Sequence, residues 1–110
     1  MPLLEKRLDQ SYPNATTDTI VYTVPSSTRT IVKNIVICNT TTEAINVRIF
    51  AVPVGLSAGV STAIFYDYEI PKNFTFTKNM YLILHTEGDT IVVYVSAQGV
   101  TFTVSGAEVT

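Results

Sequence analysis

Apolar and polar residues alternate most clearly near the C-terminal end of the chain. In residues 100–105, two valines and a phenylalanine alternate with two threonines and a serine. This period of two is typical of a β-strand with one face in a core and the other in water or against a polar partner. Two further apolar runs, 80–86 and 90–95, flank the turn-forming tripeptide Glu87-Gly88-Asp89. We therefore predict a meander of three consecutive antiparallel strands in residues 80–104.

Strand-like apolar runs also precede this region, and no helical periodicity occurs after residue 10. Further strands are predicted at residues 19–24, 30–38, 44–52, 62–70 and 74–77, with a last edge strand at 107–109. The run 30–38 is apolar at both parities, which favours a central strand or a bulge near Lys33 and Asn34. Roughly eight strands in one domain predict an all-β antiparallel sandwich, jelly-roll or immunoglobulin-like.

Residues 1–18 differ from the rest of the chain. They combine Leu3, Leu4 and Leu8 with a charged tripeptide and a polar stretch. A single helical turn at 4–8 would be too short to stand alone. We predict an extended N-terminal arm here, followed by a single sandwich domain over residues 19–110. The arm is either a frayed terminus or a segment that orders on a neighbouring subunit, with the three leucines as anchors.

The segment 53–60 is a loop by its proline and glycines, yet it is unusually apolar. Exposed Val54, Leu56 and Val60 would be a liability in a monomer and useful at an interface. We interpret these three residues, together with the leucines of the arm, as partner-binding residues.

The composition favours a chain that hides part of its surface in an assembly. Of its 110 residues, 46% are hydrophobic and 15% charged, whereas an average soluble domain has roughly 25% charged residues. The net charge is −2 and the basic residues are scattered, which argues against nucleic-acid binding, since that needs a basic stripe. No apolar run could span a bilayer, and the N-terminus is too charged for a signal peptide. We therefore expect synthesis in a cytoplasm and no membrane association.

No group of residues in the sequence predicts an enzyme. His85 is the only histidine, and a metal site usually needs several converging ligands. Asp67 and Glu69 lie two apart on one predicted strand face, as a glycosidase pair could, but such pairs are common on solvated strands. We expect no catalytic residue, no metal and no cofactor.

Residues 65–68, with the sequence Phe-Tyr-Asp-Tyr, form the most distinctive polar-aromatic segment. Aromatic rings beside a carboxylate can hold a sugar on a sandwich surface. Packing of the rings in the core and at the sheet edge is the commoner outcome, and the absence of tryptophan weakens the sugar-binding interpretation. The candidate glycan-binding residues are Tyr66, Asp67, Tyr68 and Tyr94.

Several strand-and-turn motifs occur in an order that resembles a group of small bacteriophage structural proteins. They are Tyr22-Thr23-Val24-Pro25, then Cys38-Asn39-Thr40, then 47–53, and finally Gly88-Asp89 before a strand that carries Tyr94. The resemblance covers about residues 19–106 and does not extend to the leucine-rich segment. It implies a virion component of the capsid surface, neck or tail, with no catalytic residues.

The leading hypothesis is therefore a non-enzymatic phage virion structural protein, made in the host cytoplasm, that binds copies of itself and a neighbouring capsid, neck or tail protein. A capsid decoration and a tail or fibre component both fit. We expect a homo-oligomer, with a trimer favoured, because cyclic trimers suit capsid local three-fold axes and fibres. The alternative is a carbohydrate-binding β-sandwich module that contacts a host-surface glycan.

Overall fold

The computed structural model describes residues 3–110, which form eight β-strands in two four-stranded sheets. The strands are β1 (Leu3–Ser11), β2 (Thr19–Thr23), β3 (Arg29–Asn39), β4 (Ile45–Val52), β5 (Ala63–Ile70), β6 (Thr75–Leu84), β7 (Thr90–Val95) and β8 (Val100–Val109), with a 3-10 turn at Val60–Thr62. The first sheet has the order β1-β8-β3-β6, and the second sheet has the order β2-β7-β4-β5.

The strands pair as if one long hairpin had been rolled up. β1 pairs with β8, β2 with β7, β3 with β6 and β4 with β5, all antiparallel. The β3–β8 and β4–β7 pairs join these hairpin pairs into the two sheets. Eight strands in two sheets with this connectivity form a jelly roll. The predicted antiparallel β-sandwich is confirmed, and of the two topologies considered the structure has the jelly roll.

The core lies between the two sheets and is built by alternation along each strand. Ile35 and Phe102 from the first sheet, and Ile49, Ile91 and Val93 from the second, expose 1% of their surface or less. Full burial of one such side chain stabilises a fold by about 1.5–3 kcal/mol. Burial of these side chains therefore holds the two sheets together.

The predicted meander is wrong, because its three strands alternate between the sheets. β6 and β8 belong to the first sheet and β7 to the second, so the turn at 87–89 crosses the sandwich instead of closing a hairpin. Gly88 has a φ of 91° there, which favours glycine. The separately predicted strands at 74–77 and 80–86 are one strand, β6, and residues 107–109 are the end of β8. Apolar alternation locates a strand but does not say which strand it pairs with.

All four edge strands carry an extra residue against their inner neighbours. The pairing register shifts at Leu8 in β1, at Val21 in β2, within 80–81 in β6, and within 66–67 and at Ile64 in β5. Such bulges twist an edge and interrupt the row of backbone groups that another strand would pair with. Addition of a strand from another copy is therefore disfavoured at all four edges. β3 also shifts at Lys33 against β8, where the sequence predicted a bulge.

Two buried polar side chains fix the connections at the ends of the sandwich. Asp89 is 5% exposed and accepts hydrogen bonds from the backbone N–H of Val54 at 2.9 Å and of Thr86 at 3.2 Å. At the other end, Asn39 is 1% exposed, and its amide donates to the backbone carbonyls of three residues, Glu43, Ile70 and Pro71. Two of the motifs that resemble phage proteins thus have a structural role.

The N-terminal segment lies along β8 as strand β1, so residues 3–11 of the predicted arm belong to the first sheet. The helical turn considered at residues 4–8 is not formed. Residues 1–2 of the predicted arm lie outside the described residues. Leu8 packs against the core of its own chain, whereas Leu3 and Leu4 expose 56% and 58% of their surface.

Candidate interaction surfaces

A Tyr–Arg–Tyr cluster lies on the outer face of the second sheet. Arg48 on β4 is directly opposite Tyr94 on β7. Its guanidinium carbon lies 4.3 Å from the ring centroid of Tyr66 and 4.5 Å from that of Tyr94, which is within cation–π range. Arg48 points outward because its neighbours Val47 and Ile49 point into the core.

Asp67 completes this cluster. Arg48 donates from Nε to Oδ1 of Asp67 at 2.7 Å and from Nη2 to Oδ2 at 3.3 Å, a bidentate pair. The hydrogen bond from Arg48 lowers the pKa of the Asp67 carboxyl below its usual range, and the same bond raises the pKa of Arg48. Both groups stay charged near neutral pH and compensate each other, so the cluster presents aromatic edges and a paired charge.

Tyr68 does not join the cluster, because the bulge in β5 changes the direction of its side chain. Asp67, with a φ of 54°, is part of this bulge, so Tyr66 and Tyr68 do not share one face as regular alternation would require. The Tyr68 ring packs instead against Phe65 at 5.4 Å and Phe76 at 5.1 Å between centroids. Phe76 belongs to β6, so these rings close the gap between the two sheets. Three of the four candidate glycan-binding residues come together, and Tyr68 lies apart.

The loop between β4 and β5 folds over the outer face of the second sheet. Its residue Ala58 packs on the buried side chains of Phe50, Val52 and Val92. The three loop residues proposed to bind a partner, Val54, Leu56 and Val60, expose 53%, 63% and 77% of their surface. The loop therefore buries one apolar cluster and presents new apolar side chains outside it.

A groove of about 330 Å³ runs between this loop and β2. Ile20, which is 63% exposed and lies opposite Val92, forms one wall, and Leu56 and Ala58 form the other. We call this depression the loop groove. Its lining is mostly apolar, and Asp18 lies at its rim.

An apolar patch covers one end of the outer face of the first sheet. Ile31 on β3 and Ile83 on β6 are directly opposite each other, and Leu3 and Val109 pair on β1 and β8. Tyr81 and Ile83 expose 71% and 51% of their surface. We call this surface, formed by Leu3, Ile31, Tyr81, Ile83 and Val109, the first-sheet patch. It puts the exposed Leu3 of the N-terminal segment beside Val109 of β8, on the same face as the residues from β3 and β6.

Sequence reasoning missed Arg48, Ile20, Tyr81 and Ile83 as surface residues of interest. A signal for two of them was present, because residues 80–84 are apolar at both parities while only one side of a strand can face a single core. The second apolar side of β6 therefore had to lie on the outer face of its sheet. The structure shows that this side is exposed.

The candidate catalytic residues do not converge. His85 is an exposed residue at the end of β6, and Asp67 of the Asp67–Glu69 pair is bound to Arg48. Within residues 3–110, no group of three His, Cys, Asp or Glu side chains could hold a metal ion. In the same part of the chain, no helix is long and apolar enough to cross a membrane.

Comparison with solved structures finds this fold in a virus. A chain in the structure of infectious bursal disease virus, Gx strain, aligns with 97% of this chain at a TM-score of 0.50 and 10% sequence identity. A chain in the structure of the Gt strain aligns with 97% of it at a TM-score of 0.50 and 8% identity. This chain spans 32% and 30% of the length of those two chains. The similarity is one of fold. No protein-family model and no curated protein matches the sequence.

Proposed function

We propose that this chain is a structural protein of a virus particle, which acts by binding copies of itself and a neighbouring virion protein. The observation that carries the proposal is the distribution of exposed apolar side chains. Tyr81 and Ile83 are exposed on the outer face of the first sheet, and Ile20 and Leu56 on that of the second. Apolar surface of this kind is costly in a monomer and typical of binding sites.

The fold supports the same proposal by analogy. A jelly roll that matches chains of a virus structure over 97% of its length fits a role in a virus particle. The order of the strand-and-turn motifs, which resembles small bacteriophage structural proteins, favours a phage capsid decoration, neck or tail component. Such a protein is made in the host cytoplasm and becomes part of the virion. It needs no catalytic residue, and we propose that it is not an enzyme.

Self-association is tested by measuring the solution mass of the full chain by light scattering over a concentration series. We expect a closed oligomer, with a trimer as the first candidate. Removal of residues 1–10 would be a poor variant, because it deletes most of β1 from the first sheet. Ile83→Asp should instead dissociate the oligomer. Thr77→Asp adds the same charge to the outward, polar part of β6 and should not. A monomer at every concentration would contradict self-association.

A second candidate function is carbohydrate binding at the Tyr–Arg–Tyr cluster. Tyr66 and Tyr94 lie on one outer face beside Asp67, and Tyr66 is 48% exposed. Arg48 already covers part of both rings and binds the carboxylate, so the cluster offers ring surface and few free polar groups. Calorimetry with host-surface polysaccharide tests this function. Tyr66→Ala should abolish binding, while Tyr12→Ala, at an exposed tyrosine outside the cluster, should not. Wild-type protein that binds no glycan would rule this function out.

A further inference from the structure

The loop groove and the first-sheet patch are apolar surfaces with opposite charges at their rims. Arg29 lies opposite Val109 at the border of the patch. Asp18 lies at the border of the groove. Both residues are exposed. Within residues 3–110, the ion pairs join Lys6 to Glu108, Lys33 to Glu5 and Arg48 to Asp67. Neither Arg29 nor Asp18 takes part in one of these pairs. Each surface therefore carries one charge that its own chain does not neutralise.

The patch offers exposed side chains for insertion into the groove. Tyr81 and Ile83 expose 71% and 51% of their surface. The groove is a depression of about 330 Å³ between Ile20 and Leu56. A projecting tyrosine that fills an apolar depression is a common anchor of protein interfaces.

We propose that the first-sheet patch of one copy docks into the loop groove of the next copy, with Arg29 beside Asp18 of the partner subunit. This contact rests on the proposed self-assembly and specifies its surfaces. Pairing of identical faces is less favourable, because the lining of the patch offers Arg29 no acidic partner and that of the groove offers Asp18 no basic partner. The bulged edges of β1, β2, β5 and β6 disfavour the other common route, in which strands pair edge to edge.

The size of the first sheet sets how much of it such a contact covers. The strands of the first sheet are 9–11 residues long, so its outer face measures roughly 19 Å by 33 Å. A stable interface buries about 800 Å² on each partner, so the contact extends from the patch over the rest of this outer face. Low charge over the whole chain, 15% of residues, is consistent with faces that become covered.

A contact between two different surfaces is heterologous, so it repeats from copy to copy and either closes into a ring or continues as a filament. Three copies that close a ring through this contact would form the trimer that we expect.

Charge reversal tests the contact. Arg29→Asp and Asp18→Arg, each alone, place like charges across the interface and should raise the dissociation constant measured by light scattering by at least about tenfold. The double variant restores an opposite pair and should recover most of the wild-type affinity. Lys78→Asp, an exposed charge reversal on β6 outside the patch, is the control and should leave the affinity unchanged. Circular dichroism checks that every variant is folded.

The outcomes separate this contact from the proposed function. Recovery in the double variant, together with loss in both single variants, supports the contact. If the wild type assembles and the single variants assemble equally well, or the double variant stays dissociated, this contact is wrong and self-assembly stands. A wild type that is monomeric at every concentration overturns both the contact and self-association.

Discussion

The Tyr22 hydroxyl donates a hydrogen bond of 2.6 Å to the carboxylate of Glu108. Tyr22 lies on β2 of the second sheet and Glu108 on β8 of the first, 86 residues away, so the bond crosses the sandwich. The same hydroxyl lies 2.7 Å from Oγ1 of Thr30 on β3, and Lys6 forms an ion pair with Glu108 at 3.3 Å. The tyrosine of the Tyr22-Thr23-Val24-Pro25 motif thus connects three strands and both sheets.

Replacement of Tyr22 by phenylalanine should destabilise the fold while preserving its packing. The ring stays in place, but the partly buried Glu108 carboxylate and the Thr30 hydroxyl lose their common partner. Loss of such a partner costs about 1–3 kcal/mol. Urea unfolding should show this decrease for Tyr22→Phe. Tyr12→Phe removes the hydroxyl of a tyrosine that is 54% exposed and should change the free energy of unfolding by less than about 0.5 kcal/mol. Equal effects of the two substitutions would contradict a role for the hydrogen bond.

The same tyrosine should make the fold sensitive to alkaline pH. Burial, reinforced by the hydrogen bond to Glu108, raises the pKa of Tyr22 above its usual range. An unfolded tyrosine loses its proton near pH 10, while the folded one keeps it. Above that pH the folded state binds more protons than the unfolded state, so the free energy of unfolding decreases as the pH rises.

Urea unfolding at about pH 9 and about pH 11, on either side of the ordinary tyrosine pKa of roughly 10, measures this dependence. The stability difference between wild type and Tyr22→Phe should shrink at the higher pH. A difference that stays constant would show that Tyr22 titrates equally in both states.

Much of the strand pattern could be predicted from sequence, because half-buried strands alternate. β2, β3, β4, β5 and β7 were predicted with ends within one residue of those in the structure. β1 was missed as a strand because it lies at an edge, where most of its side chains are exposed on both faces, so no alternation marks it. The pairing of strands was also not predictable, since Gly88 and Asp89 suit a crossing between sheets as well as a hairpin turn.

Asn39 should be among the least replaceable polar residues of the chain. Its side-chain oxygen accepts hydrogen bonds from the backbone N–H and the hydroxyl of Thr41, and its amide binds three carbonyls. Asn39→Ala would remove the donor to the carbonyls of Ile70 and Pro71 and the acceptor for Thr41, at a cost of about 1–3 kcal/mol. Asn46→Ala, at an exposed position on β4, should cost less than about 0.5 kcal/mol. Thermal unfolding of both variants shows whether the loss of stability comes from the hydrogen bonds of Asn39 or from removal of any asparagine.

Two glycines provide a matched pair of backbone tests. At Gly106 on β8, an added Cβ would overlap the backbone carbonyl oxygen of Ile31 on the neighbouring strand. At Gly59, a Cβ would meet nothing within 4 Å, and the backbone is extended with a φ of −179°. Gly106→Ala should therefore separate β3 from β8 and lower stability by several kcal/mol, on the order of an overpacked core. Gly59→Ala should be neutral or stabilise by up to about 1 kcal/mol. Similar free energies of unfolding for the two variants would contradict this close approach of strands.

The candidate surfaces were only partly predictable, for a physical reason. Exposure of Val54 and Leu56 follows from their place in a loop. The grouping of Arg48, Tyr66 and Tyr94 depends on register and on the bulge at Asp67, which shifts Tyr66 and Tyr68 to different sides. Local sequence does not encode which residues of separate strands become neighbours.

Incorporation into virus particles is the most direct measure of whether this chain is a virion structural protein. Particles purified on a density gradient from the producing host, and washed in high salt, can be analysed by quantitative mass spectrometry with a labelled copy of this chain as the standard. We predict a fixed number of copies for each copy of the major capsid protein, unchanged between preparations and after washing. Recovery of the chain only in the soluble lysate, or in a ratio that varies between preparations, would contradict a structural role in the virion.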